Sequence, residues 1–137
     1  MKSYWGFNNY KANITNRVLK VDNSFEDETM LIVMDKDNEV VDNLSTSPEY
    51  FPHCLEAIKN VLTNRNDKFI LERVVANDPY CRYKVTYENN CIKVVYEEDG
   101  REKDNEMDIF TLPIDDETDI TTIVEFVDFV LSKWETN

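Results

Sequence analysis

The sequence predicts an α+β fold, with an antiparallel sheet of about five to six strands and two helices packed on one face, in a single domain spanning residues 1–137. Three observations carry this. Short β-prone runs alternate with clusters of turn formers, and two longer segments instead repeat apolar residues at helical spacing. At 137 residues and 42% apolar content, the chain can build one core without disulfide support. The elements run β-β-α-β-β-β-β-α, an order suited to an antiparallel sheet with helices on one side. Neither an internal repeat nor a low-complexity linker is legible.

Residues 1–20 hold Lys2, Lys11, Arg17 and Lys20 but no acid, together with Tyr4, Trp5, Phe7 and Tyr10. The mixture has the look of a nucleic-acid arm. A terminus tied to the core by its aromatics is the better reading, because the field of the whole chain opposes a polyanion. The runs 30–34 and 39–42 flank Asp35-Lys36-Asp37-Asn38, a turn cluster, and read as a hairpin. A helix follows, opened by Ser47 as N-cap and Pro48 at its first position, with Pro52 delaying the regular helix by a turn. Its buried stripe is Phe51, Cys54, Leu55, Ile58, Val61 and Leu62, ending near Asn64.

Four strands are expected next, over 68–76, 81–88, 91–97 and 107–112. A two-residue turn at Asn89-Asn90 sets Tyr87 opposite Ile92, Val85 opposite Val94 and Tyr83 opposite Tyr96 on one face. The other face then pairs Thr86 with Lys93, Lys84 with Val95, and Arg82 with Glu97. The last helix spans about 118–135, with Ile120, Ile123, Val124, Val127, Val130, Leu131 and Trp134 as its stripe. Asp115, Asp116, Glu117 and Asp119 precede or open it, where the helix dipole favours acids.

Charge is the most informative functional feature. Twenty-eight Asp and Glu stand against 15 Lys and Arg and one His, a formal charge of −13. Between Glu97 and Asp119 there are eleven acids and only two bases, Arg101 and Lys103. Such a field repels nucleic acid and anionic lipid and steers basic proteins toward the surface. Glu97, Glu98, Asp99, Glu102, Asp104, Glu106 and Asp108 are therefore the candidate partner-binding acids. Phe129 joins them, since the helical wheel turns it outward among Thr122, Glu125, Ser132 and Lys133, as an interface anchor would be.

Catalytic and cofactor chemistry find little support. Gly6 and Gly100 are the only glycines, too few for a phosphate-cradling loop. The sole histidine, His53, falls with Glu56, Asn60 and Asn64 on the polar side of the first helix and reads as solvated surface. Asp35-x-Asp37-x-Glu39 resembles the start of a calcium loop, but Val40 stands where its glycine belongs and Thr46 where its glutamate belongs, so a hairpin turn is expected there. No pair among the acids is singled out for glycosidase chemistry. No catalytic residue, cofactor or metal ligand is assigned. Cys54, Cys81 and Cys91 are odd in number and lack C-x-x-C spacing, pointing to reduced thiols in a cytoplasmic protein. The glycosylation sequons at Asn13 and Asn43 carry weight only in a secreted chain. No apolar run is long enough for a signal peptide or membrane span.

A small, acidic, cysteine-poor α+β domain of this kind resembles the immunity proteins that bacteria make against their own polymorphic or contact-dependent toxins. The resemblance spans the chain in size, charge and element order, and these proteins share no common motif, so no residue role carries over. It implies a non-enzymatic protein, monomeric when free, that binds a basic toxin domain, often a nuclease, and blocks its working surface. The alternative is a phage- or plasmid-encoded DNA mimic that inhibits a host nuclease or defence system; its carboxylates should follow the phosphate repeat, about 1.7 Å of axis per charge. An adaptor or structural subunit of an assembly is a third class.

Overall fold

The computed structural model describes residues 10–23, 28–66, 71–75, 80–99 and 105–134, and they trace one run of elements twice. Strands β1 (Lys11–Ile14), β2 (Arg17–Asn23), β3 (Thr29–Asp35) and β4 (Val40–Thr46) lead into helix α1 (Phe51–Thr63). Strands β5 (Leu71–Val75), β6 (Cys81–Glu88), β7 (Cys91–Glu98) and β8 (Asn105–Pro113) lead into helix α2 (Glu117–Lys133). Each set of four is a separate antiparallel sheet, ordered β1-β2-β3-β4 and β5-β6-β7-β8. The α+β class and both helices are as predicted. Two four-stranded sheets replace the single sheet of five to six strands, and the unseen repeat is one of topology.

The difference arises in residues 10–23, which form a hairpin that was not predicted; Lys2, Tyr4, Trp5 and Phe7 lie outside the described residues. Ala12 faces Leu19 and Ile14 faces Arg17 across a turn at Thr15-Asn16, so Ala12, Ile14, Leu19 and Val21 share one face, a short alternation obscured by Lys11, Arg17 and Lys20. Thr15 has a φ of 42°, uncommon for a β-branched residue. Its hydroxyl donates to the carboxylate of Asp119, itself buried in the first turn of α2, which fastens the β1–β2 turn to that helix.

Within the second sheet the predicted hairpin holds residue for residue. Asn89 and Asn90 have φ of 54° and 59°, the left-handed pair that a tight two-residue hairpin turn needs. Tyr87 faces Ile92, Val85 faces Val94, Tyr83 faces Tyr96 and Arg82 faces Glu97. The β3–β4 turn is likewise a hairpin turn: Asp35 Oδ1 accepts from the amides of Asp37 and Glu39 at 2.8 and 3.0 Å, so that carboxylate secures its own loop.

Helix α1 starts later than Ser47 would place it. The carbonyl of Ser47 accepts from the amides of Tyr50 and Phe51, making a lead-in turn, and Tyr50 is the N-cap with Pro52 in the first turn. Helix α2 is capped by Asp116, whose side chain accepts from the Thr118 amide at 2.9 Å. Its buried apolar stripe is Ile120, Ile123, Phe126, Val127 and Val130; of the residues predicted, Val124 and Leu131 are only partly buried and Trp134 is buried just past the helix.

The two halves share one core. Helix α1 packs on β5 and β6 of the second sheet, α2 packs on β1 of the first, the helices pack on each other, and β4 meets β8. Each helix thus covers the other half's sheet. Phe51, at the start of α1, is fully buried and stacks on Trp134, just past α2, with centroids 5.6 Å apart and planes 24° apart. Where β4 meets β8, the Thr111 amide donates to Asp42 Oδ2 at 2.9 Å. A single cluster of buried residues runs from Ile14 to Trp134 through both sheets and both helices.

Candidate functional site

Several acids of the stretch pair in space with bases drawn from elsewhere in the chain. By register, Arg73, Arg82, Lys84, Lys93, Glu97, Glu106 and Asp108 project from the face of the second sheet that looks away from the core. Glu97 is buried, 7% exposed, and lies 3.1 Å from Arg82 Nε, 3.6 Å from Arg73 Nε and 3.8 Å from Lys84 Nζ. Arg82 also reaches Asp99 at 3.0 Å, Lys84 reaches Glu106 at 3.3 Å, and Lys93 reaches Asp108 at 3.1 Å. The Arg82 guanidinium, hydrogen-bonded to Asp99, holds that carboxyl below its ordinary value. Further along, Asp115 pairs with Arg17, Glu117 with Arg65, and Asp119 is the buried acceptor of Thr15.

Of the seven acids nominated from sequence, Glu97 is thus a buried counter-ion rather than a surface group. Asp99, Glu106 and Asp108 are surface acids engaged by bases, and Glu98 is exposed. Glu102 and Asp104 lie outside the described residues. The one-dimensional count omits cross-strand neighbours, which supply Arg73, Arg82, Lys84 and Lys93 and are distant in sequence.

Phe129 does face outward, at 47% exposure. Its ring meets Tyr10 edge-on, with centroids 4.9 Å apart and planes 89° apart, and Lys133 Nζ lies 5.7 Å from its centroid. It sits far from the acidic ladder in the chain's topology, on the α2–β1 interface of the first half.

An open cleft lies at the corresponding interface of the other half, between α1 and β5. Its volume is about 350 Å³, and His53, Glu56, Ala57 and Asn60 form the helix wall while Glu72 to Val75 form the strand wall. Glu72 and Val74 pair with Val85 and Tyr83 on the core side of the sheet, so Glu72 leans toward the helix, where Glu56 and His53 are exposed. Arg73 points the other way, to Glu97. Sequence reading placed His53 and Glu56 on a polar helix face; Glu72, which only the sheet register brings beside them, went unmarked.

Burial pushes the Cys54 thiol up to about 12, so it stays protonated and unreactive at neutral pH, and all three cysteines are free. Among the described residues no group of His, Cys, Asp and Glu is arranged to hold a metal ion, and no helix is long and apolar enough to cross a membrane.

The backbone amide of Thr118 holds the Asp116 carboxyl below its ordinary value. A lowered folded-state pKa contributes stability that is present above the unfolded value and lost as pH falls through the folded one. Asp116→Ala is therefore expected to lower Tm at pH 7, with the gap to the parent chain closing in acid; thermal melts over a pH series measure this.

Neither a protein-family model nor a curated protein sequence matches the chain. Among solved structures it is similar to "trypanosoma bruciei MRP1/MRP2", at 12% identity over 84% of this chain and 73% of that one, with a TM-score of 0.39.

Proposed function

We propose that the chain is a non-enzymatic acidic binding protein that neutralises a basic protein partner, in the manner of an immunity protein blocking its cognate bacterial toxin. The observation that supports it best is how the ion pairs use up the bases. Arg17, Lys59, Arg65, Arg73, Arg82, Lys84 and Lys93 all lie in pairs within the chain, which leaves Lys11, Lys20, Lys36 and Lys133 as the described bases outside them. With 28 acids in the chain, the surplus negative charge stays on the surface, where it favours encounter with a basic partner. The DNA-mimic alternative fits less well, because phosphate-like charge needs carboxylates uninterrupted by bases. On the outer face of the second sheet the two signs interleave.

Native co-purification followed by mass spectrometry should return a basic polypeptide in stoichiometric amount, with an association rate that falls steeply as ionic strength rises. A neutral or acidic partner, or an association rate indifferent to salt, would overturn the reading. Phe129→Ala is expected to destabilise the free chain by about 1 kcal/mol, the worth of its edge contact with Tyr10. If Phe129 anchors the partner, the same change weakens binding by about 2 kcal/mol or more. Denaturant unfolding and a binding titration on this one variant separate the two effects.

A further inference from the structure

We infer that the cleft between α1 and the edge strand β5 takes an extended, basic segment of a protein partner as an added strand of the second sheet. This rests on the proposal of a basic partner and names its point of entry.

Two observations converge there. First, β5 is an outer strand of its sheet and, among the described residues, pairs only with β6, so one row of its backbone N–H and C=O groups faces away from the sheet. Such an edge is a template for strand addition. Second, the edge opens into a cleft of about 350 Å³ rather than onto a flat surface, and the helix wall carries Ala57, whose short side chain leaves room for another backbone.

The chemistry of the walls specifies the occupant. Successive side chains of an added strand point to opposite faces. Those turned toward α1 would meet the carboxylates of Glu56 and Glu72, with His53 and Asn60 beside them, which suits Lys or Arg. Arg73 does not cancel these acids, because its guanidinium turns to Glu97 on the opposite face. Side chains turned outward would run beside Leu71 and Val75, the latter 66% exposed, which suits β-branched residues. An alternation of basic and β-branched residues is the expected pattern, and about five residues suffice to match β5.

The test uses the full chain and synthetic peptides of about eight residues, long enough to pair along β5. A peptide alternating lysine and threonine should bind, should shift the amide signals of residues 71–75 in NMR, and should protect in hydrogen exchange those of them that do not bond to β6. One alternating glutamate and threonine should not bind. Two further lysine–threonine peptides, N-methylated at alternate amides in the two possible phases, distinguish strand pairing from charge attraction: one phase should lose binding by about tenfold or more and the other retain it. The double variant Glu56→Gln, Glu72→Gln, with both groups on the protein surface, should fold normally and weaken the unmethylated peptide by roughly tenfold.

Equal binding of the two methylated peptides would overturn strand addition, as would outward-facing β5 amides, those not bonded to β6, already protected in the free chain and unmoved by peptide, which would mean that another part of this chain occupies the edge. The proposal of a basic partner fails separately. If a basic partner is recovered and binds the double variant as tightly as the parent, the cleft is wrong and that proposal stands; if the recovered partner is neutral or acidic, the proposal falls whatever the peptides do.

Discussion

Phe51→Ala is expected to cost about 3 to 5 kcal/mol and to leave the chain unfolding in a single transition. The magnitude follows from truncating a fully buried aromatic in a close-packed site. The cooperativity follows from position. Phe51 opens α1, the helix that leaves the first sheet to pack on the second, and its ring stacks on Trp134, which closes α2 after that helix has packed on the first sheet. Loss of the ring loosens both crossings together, and neither half has a helix of its own covering its own sheet. Urea unfolding followed by far-UV circular dichroism and by tryptophan fluorescence should therefore give coincident midpoints in the variant as in the parent. Separate midpoints would show that each ββββα half is an independent unit and that the helix exchange contributes little. A loss below about 1 kcal/mol would show that the site collapses around the missing ring.

Local rules were legible in the sequence where they act on contiguous residues. The Asn89-Asn90 turn fixed the β6–β7 register because a two-residue turn leaves one in-phase pairing that keeps the tyrosines and valines on one face. Helices α1 and α2 were legible from periodicity, and the delay at Pro52 holds: only the N-cap differs, since Ser47-Pro48 carries the composition of a cap while the backbone turns once more and Tyr50 takes that place. The first hairpin was hidden because β1 has only four residues, with bases interrupting the alternation on both of its strands. Missing that hairpin meant missing the repeat, since the second half alone suggests one sheet.

The candidate site was less legible, for a physical reason. Net charge along a window ignores the sheet, in which a residue's strongest electrostatic neighbours come from other strands. The Arg82–Glu97 pair could be read in advance, because the two residues stand directly opposite in one hairpin; Lys84 reaches Glu97 diagonally in that hairpin, and Arg73, Arg17 and Arg65 reach their acids from strands or segments outside it. Conversely, Glu56 and Glu72 are unremarkable in sequence and meet only because α1 lies beside β5.

Two adjacent residues test that account directly. Glu97→Ala should destabilise the chain by about 2 to 3 kcal/mol, whereas Glu98→Ala should stay within about 0.5 kcal/mol. A charge count along the chain treats them as equals. In the sheet they point to opposite faces: the side chain of Glu97 is only 9% exposed and bounded by Arg73, Arg82 and Lys84, while Glu98 is exposed. Removing the Glu97 carboxylate leaves three cations crowded together and still partly solvated, so the loss falls below the 3 to 5 kcal/mol typical of breaking a fully buried pair. Arg82 keeps Asp99 and Lys84 keeps Glu106, which limits it further. Glu97→Gln should fall between parent and alanine variant, because it preserves volume and a hydrogen-bond acceptor for Arg82 but not the charge. Added salt should narrow the gap between Glu97→Ala and the parent by screening the cations left behind. Urea midpoints at two ionic strengths, with unchanged m values, measure all of this. Equal and small losses at both positions would mean that Glu97 is as well solvated as Glu98 and that its three cations contribute little to the fold.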